Sequence, residues 1–98
     1  MTHKILILNG PNLNMLGERE PEIYGGDTLE AIGVACQHKS QTLGMSVDFR
    51  QSNDEGELVT WIQSAASEFS GIVINAGAYS HTSIAILDAL RATTLPTI

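Results

Sequence analysis

Two polar segments hold most of the residues in this chain that could do chemistry. "NGPNLNMLGEREPEIYGG", residues 9–26, carries Asn9, Asn12, Asn14, Arg19 and Tyr24, and "NAGAYSHTS", residues 75–83, carries Asn75, Ser80, His81, Thr82 and Ser83. Arg19 is the single basic residue of the first segment, so it can pair with a carboxylate or steady developing negative charge. A tyrosine close to it would gain a second property. A phenol ionises near pH ~10 in water, but a guanidinium within several ångströms favours the phenolate and lowers that value, which makes Tyr24 a candidate general base.

Plainer readings stand beside these. Arginines and tyrosines on loops are commonly just solvated or half-packed. Asn9-Gly10 and Asn12 are residue types that accept the backbone angles of turns. Ser80 and Thr82 read as helix-capping hydroxyls, and His81 between them is open between a helix start and a ligand contact. Asp88 interrupts an apolar helix face; it either pairs with Arg91 three residues on or serves a partner subunit.

The elements around these segments explain why they should meet. "KILIL", Lys4 to Leu8, is a short apolar run closed by Asn9-Gly10-Pro11, the pattern of a strand buried on both faces in a parallel sheet. A helix over Asp27–Gly44 follows, with Asp27 and Glu30 as a capping box, Leu29, Ile32, Cys36 and Leu43 on one face, and Gly44 ending it. "MSVDFR" alternates as a second strand. Asn53 or Asp54 caps a second helix carrying Leu58, Trp61, Ile62, Ala65 and Phe69, which Gly71 breaks. "GIVIN" is a third buried strand, and Thr82–Ala92 a third helix presenting Ile84 and Leu87.

Strands and helices alternate throughout. The pattern predicts an α/β, flavodoxin-like three-layer sandwich on a parallel sheet of order 2-1-3-4, one domain over residues 1–98. In such a sheet ligands bind beyond the carboxyl ends of the strands where the order reverses, here between strands one and three. The two polar segments leave those two strands. The first spans 18 residues, where a strand-to-helix connection usually takes about two to six, and a loop that long reads as a lid or binding element. The ending, "TTLPTI", reads as the opening of a fourth strand without its covering helix, hence as a fragment of a longer protein in preference to a chain completed by a partner.

Composition narrows the classes. A chain of 98 residues hides only about 60–65% of its unfolded surface, so the core is small. Five basic against eleven acidic residues, net charge −6, oppose binding to nucleic acid or anionic lipid through a general basic patch. No apolar run approaches a membrane span, and "MTHKILILNG" is too short in apolar residues for a signal peptide, so the expectation is a cytoplasmic protein. The lone Cys36 reads as a small buried hydrophobe. Neither phosphate-cradling glycine motif follows the first strand, which counts against a nucleotide. His3, His38 and His81 are far apart in sequence, and no metal is implied.

"ILNGPNLNMLGEREPEIYGGDTLE" and "INAGAYSHTSIAILDAL" closely resemble the two signature segments of the type II 3-dehydroquinate dehydratases, in the same order and separation. The likeness runs the length of the chain. It implies a lyase that reversibly dehydrates 3-dehydroquinate to 3-dehydroshikimate in the shikimate pathway of aromatic amino-acid biosynthesis, without cofactor or metal. It also implies a homo-oligomer, a dodecamer built as a tetramer of trimers. By resemblance Tyr24 matches the base that removes the proton alpha to the ketone, and Arg19 the lid arginine that lowers its pKa and steadies the enolate. Asn12 matches a residue holding a water against the enolate oxygen, Asn75 and His81 match substrate-hydroxyl contacts, and Asp88 matches a residue reaching into a neighbouring subunit's site. The family's general-acid histidine lies in a segment after the strand that begins at Leu95 and has no match in this sequence. The alternative is a non-catalytic polyol-binding or assembly fragment of the same fold.

Overall fold

The computed structural model describes residues 3–17, 28–77, 79 and 83–98. Strand β1, Lys4–Asn9, is the centre of a parallel sheet of order β2-β1-β3, with β2 at Ser46–Gln51 and β3 at Gly71–Asn75. Beyond β3 the order continues as expected. Thr97 bridges in parallel to Ile72, and Ile98 both donates to the Ile72 carbonyl and accepts from the Ile74 N–H, each at 3.0 Å.

Helices α1 (Leu29–Thr42), α2 (Glu55–Ala65) and α3 (Ile84–Ala92) occupy the connections and the flank of the sheet. Their ends follow local side-chain chemistry. Thr28 caps α1 by accepting from the Ala31 N–H at 3.1 Å; Asp27, the cap expected from the sequence, lies outside the described residues. Asp54, not Asn53, caps α2, taking the N–H groups of Gly56 and Glu57 at 2.8 and 3.3 Å, and Ser83 caps α3 through the Ile86 N–H at 3.0 Å. Gly44 closes α1 in the left-handed region, φ 71°, where the Met45 N–H reaches back to the Ser40 carbonyl at 2.9 Å and its own N–H to that of Gln41 at 3.2 Å. Gly71, by contrast, does not break α2. The helix stops at Ala65, and Gly71 is the first residue of β3.

The core lies on one face of the sheet. Leu6 and Leu8 of β1 and Ile72 of β3 pack against Leu58, Ile62 and Ala65 of α2, Phe69, and Ile86 and Ala89 of α3. Leu6, Leu8, Leu58 and Ile62 have no accessible surface, and burying each such side chain stabilises the fold by about 1.5–3 kcal/mol. The other face is thinner than an all-buried strand requires. Ile5 and Ile7 are half-buried and Val73 is exposed, because among the described residues only α1 covers this side, lying over β2.

Two helix faces differ from the periodicity. In α1 the buried positions are Gly33 and Ser40, while Ile32 and Leu43 are exposed and Cys36 is half-buried. Gly33 is the point of closest contact: a Cβ there would come within 3.1 Å of the Phe49 ring of β2, so the helix seats through a missing side chain, with Leu29 and Cys36 half-buried in the same row as Gly33 and Ser40. In α3 Ile84 is 81% and Leu87 48% exposed, and burial falls on Ile86 and Ala89, which face α2 and the sheet.

Candidate active site

Strand register brings the first polar residues together. At the carboxyl end of the sheet Asn9 stands opposite Gln51 on one side and Asn75 on the other, so all three strands end on an amide side chain at one level. Asn9 is buried and donates its side-chain Nδ2 to the Arg50 carbonyl at 3.0 Å, which makes it a structural clip at the end of β1 and not the turn residue of the plainer reading.

The loops leaving β1 and β3 touch through backbone. The Gly10 N–H donates to the Asn75 carbonyl at 2.8 Å, and a Cβ on Gly10 would stand 2.7 Å from the carbonyl carbon of Ala76. Gly77 faces Pro11 in the same way and adopts φ 60°, a conformation glycine takes without steric cost. Close approach of two main chains needs glycine on the facing positions, and each of the two polar segments supplies one.

Asn12 and Asn75 are seated by this contact. Asn12 is the non-glycine residue with positive φ among the described residues, at 67°, and its backbone N–H donates to Asn53 Oδ1 at 2.9 Å. Asn75 Oδ1 accepts from the Gly77 N–H at 3.2 Å, and among the described residues no acceptor engages its Nδ2 hydrogens, which can be offered to a ligand oxygen. Both side chains are exposed at the sheet edge. An arrangement of neutral amide donors suits hydroxyl and carbonyl oxygens.

Three residues that the sequence did not single out for chemistry complete the framework. Gln51 Nε2 donates to the Gly10 carbonyl and to Asn53 Oδ1, each at 3.1 Å, and the Tyr79 hydroxyl donates to the Asn53 carbonyl at 3.1 Å. The available signal was the polar run "QSND" at the end of the strand that neighbours β1.

Asp88 stands on a different surface. It lines a groove of about 480 Å³ between α2 and α3 with Val59, Gln63 and Ala85, and the loop asparagines are not part of that lining. Its expected pairing with Arg91 is not formed. The ion pair found among the described residues is Asp48–Arg50, at 2.8 Å and bidentate, whose hydrogen bonding holds the Asp48 carboxyl below its usual range. Arg19, Tyr24 and His81 lie outside the described residues. Among the described residues no three His, Cys, Asp or Glu side chains gather as a metal site would need, and no helix is long and apolar enough to cross a membrane.

Comparison with known proteins gives consistent matches. The family model described as "Dehydroquinase class II" matches residues 3–98. A 3-dehydroquinate dehydratase from Rhizobium johnstonii is 55% identical over 98 residues, 100% of this chain and 68% of its own length. Another from Mesorhizobium japonicum is 63% identical over 87 residues, 89% of this chain and 60% of its length. The crystal structure of the type II dehydroquinase from Propionibacterium acnes superposes with a TM-score of 0.92 at 42% identity, covering 99% of this chain and 67% of that one. The chain thus spans 60–68% of the length of these curated relatives.

Proposed function

The chain belongs to the class II dehydroquinase family, and from that premise we propose that it carries the proton-abstracting half of a 3-dehydroquinate dehydratase site. In this reading Tyr24 removes a proton alpha to the substrate ketone, the electron pair moves into the carbonyl, and the resulting enolate re-forms the ketone as it expels the hydroxyl, which takes up a proton and leaves as water to give 3-dehydroshikimate. Arg19 favours the phenolate form of Tyr24 and stabilises the oxyanion. Asn12 holds a water against the enolate oxygen, and Asn75 and His81 bind substrate hydroxyls. Protonation of the leaving hydroxyl is assigned to none of these residues.

The single observation that carries the reading is the seating of the two motif-bearing loops on one another, Gly10 N–H to Asn75 carbonyl at 2.8 Å. It seats the loop that carries Asn12 on the strand end that carries Asn75, one residue from each motif, at the carboxyl end of the sheet. Neutral amides there suit the chemistry: the substrate is a polyhydroxylated ring, and the charge that develops sits on one oxygen. The exposed Ile84, Leu87 and Asp88 of α3 support the further proposal that copies of the chain assemble, as a tetramer of trimers, with Asp88 serving a neighbour's site. The reaction is placed in the cytoplasm, in the shikimate pathway, without cofactor or metal.

The test uses the full-length protein with 3-dehydroquinate, following the ultraviolet absorbance of the conjugated enone. Tyr24→Phe removes the base and leaves the ring, so turnover should fall by at least about 10²–10⁴-fold with the circular dichroism unchanged. Retained turnover in that variant overturns the assignment.

A further inference from the structure

We infer that Asn53 is a positioning residue for this site, acting through Asn12; the inference rests on the dehydratase reading above. Asn53 lies on the loop after β2, outside both motif-bearing segments, and its side chain is exposed. It nevertheless contacts both of the loops that form the site.

Its Oδ1 accepts the backbone N–H of Asn12 at 2.9 Å and the Nε2 of Gln51 at 3.1 Å, and Gln51 in turn holds the Gly10 carbonyl at 3.1 Å. Its own carbonyl accepts the Tyr79 hydroxyl at 3.1 Å, from the loop after β3. One residue therefore ties the exits of β1, β2 and β3 together. Asp54, beside it, supplies the helix cap, so Asn53 is not needed for that.

The contact falls at the point of greatest backbone constraint. Asn12 sits at φ 67° and ψ −4°, in the left-handed region that a residue with a Cβ seldom adopts. Fixing the direction of its N–H together with φ fixes the Cα–Cβ direction, the root from which the Asn12 amide reaches into the site. Without an acceptor at Asn53 Oδ1 the turn is free to relax toward an ordinary conformation and swing that amide away. An amide that must hold a water against charge developing on one oxygen works only when it is already aimed there.

The variants are Asn53→Leu, which keeps the size and removes the acceptor, Asn12→Gly, which keeps the left-handed backbone and removes the amide, and the double variant. All are made in the full-length protein and assayed by enone formation, with exchange of the Asn12 backbone amide followed by NMR. N53L should lower kcat roughly ten- to hundredfold with KM within about threefold of wild type, and speed exchange at the Asn12 amide. The double variant should be no slower than N12G alone, because Asn53 then has nothing left to aim. Unchanged kcat in N53L, a rise in KM alone, or losses that multiply in the double variant would each overturn the inference. A wild type that forms no enone overturns the dehydratase reading instead. In that case amide exchange decides the link by itself: faster in N53L supports it, unchanged overturns it.

Discussion

Gly10→Ala measures how tightly the β1 and β3 exits are seated. A Cβ on Gly10 would stand 2.7 Å from the Ala76 carbonyl carbon, where ordinary contact begins at 3.4 Å, so the two loops must open by at least about 0.7 Å. Both partners are main chain, and no rotamer change can relieve them. The hydrogen bond from the Gly10 N–H to the Asn75 carbonyl, now 2.8 Å, would stretch toward the limit of hydrogen bonding. Overpacking costs about 1–3 kcal/mol and a weakened hydrogen bond about 0.5–1.5 kcal/mol, so G10A should lose roughly 2–4 kcal/mol. For a domain of this size that is a fall in Tm of roughly 10–25 °C. Urea unfolding followed by circular dichroism reads the loss directly, with the slope unchanged if only the native state is affected. Gly44→Ala is the comparison. Nothing lies within 4 Å of its Cβ, and only its φ of +71° is unfavourable, which costs about 1–2 kcal/mol. A loss in G10A below about 0.5 kcal/mol, or below that of G44A, refutes the seating of the loops described above.

Two further outcomes follow from local chemistry. Asp54→Ala leaves the Gly56 and Glu57 N–H groups without their acceptor and should cost about 1–2 kcal/mol in the same unfolding assay; a loss indistinguishable from zero removes Asp54 as the cap. Asp48→Asn tests the ion pair with Arg50, whose side chains are about one third exposed, 33% and 27%, so solvent screening limits the effect to about 0.5–1 kcal/mol at pH 7. The Asp48 pKa is lowered in the folded state, first by its hydrogen bond to Arg50, so the stabilisation is present above the unfolded value of 3.8 and is lost as pH falls through the folded value. Wild type and D48N should therefore converge in stability only once the pH is below the folded value, itself under 3.8, and a difference that persists at that acid limit contradicts the linkage.

What the sequence determined by itself was local or periodic. The short apolar runs at β1 and β3, closed by turn residues, read as buried strands, the alternation of strands and helices predicted parallel crossovers, and these together implied the order found, with Thr97 bridging beside β3. Asn53-Asp54 before a helical pattern marked a cap because a cap is made within three residues, and the structure gives that role to Asp54. The two motif segments, read by resemblance, pointed to the family that residues 3–98 match.

Tertiary structure decided what depends on residues distant in sequence. Which row of α1 faces the sheet was set by Phe49, which admits Gly33; Leu29 and Cys36 share that row half-buried, while Ile32 and Leu43 are left outside, so apolar spacing named half of the packed face. Burial of α3 was set by α2, which takes Ile86 and Ala89 and leaves Ile84 in solvent. Asn53 showed no spacing to Asn12 that a pattern could detect, since they are 41 residues apart and meet only because β2 lies beside β1. Residue types and periodicity fix which elements form, because those preferences act within a few residues. Which atoms meet at the site is fixed by register and close packing, and these exist only once the strands have paired.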